Sequence, residues 1–332
     1  GHASNFIFPV DHNKEMALLT AESQQQYADL DLQNVPGGIE VARDEVRLEE
    51  FRRRMTSAKA WGIESELLTP EQVKELVPFI NEEVIIGGFY TPGVSVVDSL
   101  ETGTQMRLRA QEAGNLEVFA NTEVLDIETT EDEIGIKKVN AVVTTRGRIE
   151  AEYVVIACGV WSDRVANMAG ATIPLTPAVH QMADVGPIDV LAETNNEIGY
   201  PIVRDMDTFC YERQSAGSME VGSYAHRPIL HHPDSIPSNE EAALSPTELP
   251  LSQDDFDPQM EQAIELMDML GDAEIKYAID GLLSLTPDAM PVLGETVEVE
   301  NLWSAAAVWV KEGPGIAQLI AEWMTYGYPH IT

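Results

Sequence analysis

Three groups of residues in this chain have types and spacings suited to chemistry. The first is AEYVVIACGVWSDRVANMAG, residues 151–170, an apolar run that stops at Gly159 and feeds a helical pattern. A glycine at that point lets the backbone turn and approach a ligand closely. Ser162 has the type of an N-cap, and Asp163 suits a first turn. The pattern fits a nucleotide contact and equally an ordinary strand–helix junction. The second is WVKEGPGIAQLIAEWM, residues 309–324, a strand running to a Gly-Pro-Gly break before an amphipathic helix. The free N–H groups and dipole of that helix start would stabilise negative charge, such as that on the pyrimidine edge of a reduced flavin. A plain capped helix fits as well. The third is the set His180, Tyr211, Tyr224, His226 and Trp309. These side chains could bound a pocket for a small amine if they converge; singly, each reads as a satisfied core residue.

Other chemistries lack their residues. The chain has no metal-ligand spacing, no G-x-S-x-G, no P-loop and no G-x-G-x-x-G. Cys158 lies in an apolar run and Cys210 beside aromatics, so both read as buried thiols, which fits a cytoplasmic location. Against 20 basic residues stand 56 acidic ones, a formal charge of −36, which argues against nucleic acid and anionic membranes as partners. A solvated acidic surface and adaptation to high salt both fit this excess, and its size favours the second. No apolar run reaches the length of a membrane span, and the N-terminal GHASNFIFPVDHNK has no secretory signature.

The elements that must carry these groups are mixed. Helices are expected over 11–30, 43–62, from TPEQVKEL with Thr69 and Gln72 as a capping box, over 98–114 and over 257–272. Strands are expected at 37–42, within 82–93, as a pair or one bent strand over 116–130, and as a hairpin about TTRGR leading to the apolar strand before Gly159. Residues 172–230 are strand-rich, and an acidic loop over roughly 227–257 should wrap a surface. The fold class is therefore α/β with an α+β component, a nucleotide-binding layer interrupted by a β-meander.

In this order, TIPLTPAVHQM, CYERQ…VGSYAHRP, LLSLTPDAMPVLGE and AAAVWVKEGPG resemble the dimethylglycine oxidase, dimethylglycine dehydrogenase and sarcosine dehydrogenase flavoproteins. Upstream, GGIEVA…AWGIESELLTPEQ…GGFYTPG follows the same family order, so the resemblance covers essentially the whole chain. It implies a glutathione-reductase-like FAD-binding domain, incomplete here, over 1–34, 95–171 and 285–332. That domain would be interwoven with a substrate domain built on a large antiparallel sheet over 35–94 and 172–284. It implies oxidative demethylation of a small N-methylated amino acid, dimethylglycine or sarcosine. By the same resemblance His2, in HAS, is the covalent flavin link; Val124 meets the adenine end; Ala157, Gly159 and Trp161 lie along the flavin. Gly313, Pro314 and Gly315 would face its pyrimidine edge. His180 would tune amine protonation, Tyr211 would position the amine, and Trp309, Tyr224 and His226 would line the pocket.

Two parts of the family pattern are expected outside this chain: the Gly-rich loop that cradles the FAD pyrophosphate, before residue 1, and the folate-binding aminomethyltransferase domain, after Thr332. The chain thus reads as a fragment, and a homo-oligomer or a separate chain supplying the first segment are the assemblies left open. Two other functions stay open: a deaminating oxidase of the glycine or D-amino-acid type, and a non-catalytic remnant or subunit that no longer holds FAD. The charge reading has its own test. Thermal unfolding in molar KCl should lie above that in dilute buffer, and equal midpoints would rule out the high-salt reading.

Overall fold

The computed structural model describes residues 4–192, 196–238, 240–242 and 245–331. They form two compact units: Gly1–Thr102 with His180–Pro228 and Glu248–Gly281, and Gly103–Val179 with Ile229–Thr247 and Leu282–Thr332.

The first unit is built on a nine-stranded sheet. Its order is Glu248–Pro250, Glu274–Leu285, Thr176–Gly186, Ser218–Ser223, Cys210–Ser215, Ile202–Asp205, Gly38–Ala42, Gly87–Thr91 and Glu66–Leu68. Neighbouring strands are antiparallel over most of its width, whereas Ile202–Asp205 runs parallel to Gly38–Ala42. Because side chains alternate across a strand, the sheet has two distinct faces. One carries Ile39, Val41, Ala183, Val185, Val203, Met219 and Val221 into a core closed by Val73 and by Phe256, Ala263 and Leu266. The helices of this unit form for local reasons. Thr69 and Gln72 make the expected capping box ahead of Pro70–Leu76. Asp44 accepts from the Arg47 N–H to start Glu45–Ala60, and Asn13 caps Lys14–Ala28.

The helix expected from 257 instead spans Gln253–Leu266 and holds Pro258 inside it. Proline lacks an N–H and disfavours a helix interior, but Phe256, fully buried in the core, requires the earlier start. Burial of a whole aromatic side chain stabilises by about 2–3 kcal/mol, comparable with the cost of the proline. The acidic stretch 227–257 is likewise not one loop, because it contains the strand Glu248–Pro250 and the start of this helix.

In the second unit, Val154–Ile156 runs parallel to Leu302–Ala306, which pairs antiparallel with Val292–Glu295. A second sheet joins Val124–Glu131, Lys137–Thr144, Gly147–Glu150 and Val299–Glu300. Ile127, Val139, Ile156, Ala166, Ile173, Val299 and Leu302 form the core. The expected strand over 116–130 is realised only from Val124, and residues 116–120 carry Leu116, Val118 and Phe119 exposed. Among the described residues no helix is long and apolar enough to cross a membrane, and no group of three or more His, Cys, Asp or Glu could hold a metal ion.

One buried acid breaks the pattern of the apolar face. Glu212 sits directly opposite Val203 and Val221 and is 1% exposed, and neither carboxylate oxygen has a hydrogen bond among the described residues. Burial pushes its pKa well up, Asp205 adds to the rise, and Arg43 opposes it. The folded-state value exceeds the unfolded one near 4.5. The stability this group allows is therefore fully present below that pH and is lost as pH rises through the folded value. Glu212→Gln should raise the unfolding midpoint relative to wild type at neutral pH, and the gap should close near pH 4.5. A gap independent of pH would contradict the assignment.

Candidate active site

The second face of the large sheet gathers aromatic and charged side chains. Tyr211 lies opposite Gly222, and Gly222 opposite Met182, so these three positions share that face. The same alternation brings His180 and Tyr224 alongside. The rings make one cluster: His180 stacks on Tyr211 at 5.6 Å with planes 6° apart, and packs on Tyr224 at 4.4 Å. Tyr211 and Tyr224 are 6.3 Å apart, and Phe6 meets Tyr211 edge-on at 5.0 Å. His180 is 3% exposed and Tyr211 1%.

Gly222 makes the cluster possible. A Cβ there would lie 2.0 Å from Tyr211 Cζ and 2.2 Å from its hydroxyl, so the ring rests on bare backbone. Burial pushes the Tyr211 hydroxyl well above the ordinary tyrosine value, helped by Glu220 and Tyr224 and opposed by Ser4 and Arg213. Ser4 is its polar neighbour, but not at full hydrogen-bond geometry. The phenol therefore stays neutral and can donate to a ligand. Tyr224 keeps 42% of its surface exposed. The protein packed around its phenol still pushes the hydroxyl up to about 12, while Arg204 pulls it down and Glu220 pushes it further.

Of the five residues expected to line a pocket, His180, Tyr211 and Tyr224 converge. His226 hydrogen-bonds through Nδ1 to the Arg227 carbonyl in its own loop and makes no ring contact with the cluster. Trp309 belongs to the second unit, where its indole N–H donates to the Ser284 carbonyl at 3.4 Å. Phe6 and Arg204 are members of this face that sequence reasoning did not find. Strand pairing brings Arg204 there, and Phe6 comes from a separate three-stranded sheet packed against the cluster.

The candidate cofactor residues other than His2 lie in the second unit. Val154–Ile156 and Leu302–Ala306 are parallel neighbours in register. The chain following each one, Ala157–Trp161 and Ala307–Gly315, therefore emerges at the same carboxyl end, where open α/β sheets bind ligands. Gly159 has φ +54°, and a Cβ there would meet nothing within 4 Å. Ala307 also takes a left-handed φ, +55°, which is costly for a residue with a Cβ and concentrates at functional sites. Gly313–Tyr326 is a helix with proline in its first turn. The Gly-Pro-Gly segment is thus the helix start itself rather than a break before it, because proline pre-sets the helical φ and needs no N–H there.

Ser162 is not the N-cap expected of it. It follows the 3₁₀ turn Gly159–Trp161 into the helix Ser162–Met168 and makes no cap hydrogen bond, and its buried hydroxyl has no partner among the described residues. Asp163 does fulfil its first-turn role and accepts from the Ile173 N–H at 2.9 Å. Val124 opens its strand opposite Thr144. His2 lies outside the described residues. Both cysteines are free thiols. Burial raises the Cys158 pKa and takes Cys210 to about 12, so neither is an activated nucleophile. The open backbone at Gly159, the orphaned Ser162 hydroxyl and the dipole of the helix that starts at Gly313 fit a flavin with its negative edge at the helix start.

A family model described as FAD dependent oxidoreductase matches residues 1–323. The chain is 31% identical over 296 residues to sarcosine dehydrogenase, mitochondrial, of Mus musculus, covering 88% of this chain and 31% of that protein. It is 27% identical over 299 residues to dimethylglycine dehydrogenase, mitochondrial, of Homo sapiens, covering 89% and 33%. It thus spans about a third of the length of these relatives. L-proline dehydrogenase from P. horikoshii superposes with a TM-score of 0.81 at 20% identity, covering 98% of this chain and 83% of that one, a likeness of fold.

The Tyr211–Gly222 contact predicts a coupled pair. Gly222→Ala should destabilise by about 1–3 kcal/mol in urea unfolding, as overpacking does. The loss should be much smaller in a Tyr211→Ala background, and equal losses in both backgrounds would show that the ring does not depend on the missing Cβ.

Proposed function

The chain belongs to the FAD dependent oxidoreductase family, and from that premise we propose that it forms the flavin- and substrate-binding portion of an amine oxidoreductase. The substrate is a small N-methylated amino acid, dimethylglycine or sarcosine, and the reaction is oxidative demethylation. The observation that carries this reading is the convergence of His180, Tyr211 and Tyr224 on one sheet face over Gly222. The second unit supplies the flavin contacts: Val124, Ala157, Gly159 and Trp161, with Gly313, Pro314 and Gly315 at the pyrimidine edge.

When bound, FAD supplies the acceptor for a hydride leaving the N–CH3 carbon. The protein's own residues prepare the amine. An ammonium cannot give up that hydride, because the nitrogen lone pair must form the C=N bond as the hydride departs. Burial among His180 and the tyrosine rings penalises the charged form and so favours the neutral amine. His180 takes the ammonium proton on binding, and the neutral Tyr211 hydroxyl orients the amine by donating to it. The burial of His180 and Tyr211 keeps water from the reacting centre. The iminium product then adds water and releases formaldehyde and the demethylated amine. A covalent flavin tie through His2 completes the reading.

Formaldehyde release from dimethylglycine or sarcosine by the FAD-loaded chain tests it. Ammonia with glyoxylate would indicate a deaminating oxidase, and a colourless chain that no added FAD turns yellow would indicate a remnant without catalysis. Acid precipitation tests the tie: colour in the pellet supports it, and colour in the supernatant refutes it. His180→Ala should lower kcat/KM by about 10²–10⁴ and move the acid limb of the pH–rate profile upward, and an unchanged profile would remove His180 from proton handling.

A further inference from the structure

The turn between Ile202–Asp205 and Cys210–Ser215 holds a residue that the fold alone does not call for. Phe209 has φ +57°, a left-handed conformation that hairpin turns ordinarily give to glycine. A phenylalanine there is strained, and burial does not compensate, because 53% of its surface stays exposed. Phe209 lies one step beyond the Cys210–Ser223 pair, and its carbonyl accepts from the Tyr224 N–H at 3.1 Å. Tyr224 packs on His180, so it joins the inner ring cluster to this turn. Asp207, Thr208, Phe209, Tyr224, Ala225 and Gln262, all in the first unit, line a recess of about 440 Å³, the size of a small-ligand pocket.

The charge around the recess is negative. Asp207 accepts from the Arg43 backbone N–H at 2.7 Å and from Arg47 Nε at 3.0 Å. Asp205, 1% exposed, pairs with Arg43 at 2.6 Å and accepts from the N–H groups of Asp207 and Thr208. The same two arginines also hold Glu265 and Glu50. Four carboxylates thus share two guanidinium groups, and the excess favours a cation. Arg204, which acts on the Tyr224 hydroxyl, is itself paired with Glu40. Two residues of the lining also carry unspent acceptors. Thr208 Oγ1 and Gln262 Oε1 are buried without a hydrogen-bond partner among the described residues. Such atoms carry a desolvation cost that a donor on a ligand removes.

We propose that this recess binds a methylated ammonium ion, with the Phe209 and Tyr224 rings and the Asp207 carboxylate as its partners. Aromatic rings attract cations of this kind, and their methyl groups suit the apolar part of the lining. The inference deepens the demethylase reading and rests on it for the ion's identity. In water the N-methylated amino acid is a protonated amine, whereas the buried cluster about His180 favours the neutral form. The recess receives the charged form outside that cluster, and Tyr224 borders both places. The strained, exposed ring of Phe209 then has a function that neither packing nor backbone preference gives it.

The test is a saturation-transfer NMR titration of the chain at constant ionic strength. The probes are tetramethylammonium, which has no lone pair and cannot be oxidised, and tert-butanol, a neutral molecule of similar size. Tetramethylammonium should bind saturably and more tightly than tert-butanol. Phe209→Gly keeps the backbone conformation without strain and should weaken tetramethylammonium by about three- to thirtyfold, the worth of a cation over one ring. Phe209→Leu, which keeps an apolar side chain without a π face, should weaken tetramethylammonium and leave tert-butanol unchanged. His180→Ala should leave tetramethylammonium binding unchanged, which places the ion outside the inner cluster. No saturable binding to wild type, equal binding of the two probes, or loss with His180→Ala but not with Phe209→Gly overturns the proposal. Displacement of tetramethylammonium by N,N-dimethylglycine supports use of the site by the substrate. A Phe209-dependent site that N,N-dimethylglycine does not enter would uphold the ammonium site and reject that use. Absence of formaldehyde release would reject the demethylase reading and leave the ammonium site standing.

Discussion

The polar face of the large sheet is organised around an absent Cβ. With hydrogen alone at Gly222, the Tyr211 ring lies flat on the neighbouring strand instead of standing off it. That lowers the phenol into full burial and lets His180 stack on it with nearly parallel planes. Phe6, and through it the plane of Arg204, then follow. Any side chain at 222 would lift the ring and with it every contact that depends on its height. The opposite face needs no such device, because aliphatic side chains there tile against two helices in the ordinary way.

In the second unit the corresponding constraint is backbone conformation. Two adjacent parallel strands each end in a left-handed residue, Gly159 and Ala307. At Gly159 the conformation costs little, whereas at Ala307 it opposes the preference of an L-residue, so the surrounding fold must hold it. Both turn the chain away from the sheet at the same edge, ahead of the helices Ser162–Met168 and Gly313–Tyr326.

Features governed by nearby residues were legible from the sequence. The Thr69–Gln72 capping box, the helix stop before Gly114 and the turn at Gly159 all appear in the fold. The sequence posed convergence as the condition for a pocket, and His180, Tyr211 and Tyr224 meet it. What escaped depended on distant partners. Ser162 has the composition of a cap, but a 3₁₀ turn occupies the position it needed. The helix expected from 257 starts at Gln253 because Phe256 fills a core pocket. Arg204 and Phe6 are separated by nearly two hundred residues of chain, lie in different sheets and meet only through tertiary packing, which single-strand periodicity does not report.

The parallel pairing of Gly38–Ala42 with Ile202–Asp205 has a consequence for how the molecule is made. Glu40 and Arg204 are 164 residues apart, and the sheet is completed only by segments that flank Gly103–Val179 of the second unit. During synthesis the N-terminal strands leave the ribosome long before their partner exists. They must wait as unpaired edges while residues of the other unit emerge, the situation in which non-local topologies fold slowly and aggregate readily. A dense negative charge distributed along the nascent polypeptide keeps neighbouring copies apart during that interval. The acidity of the sequence thus protects the unfinished chain as well as the finished surface.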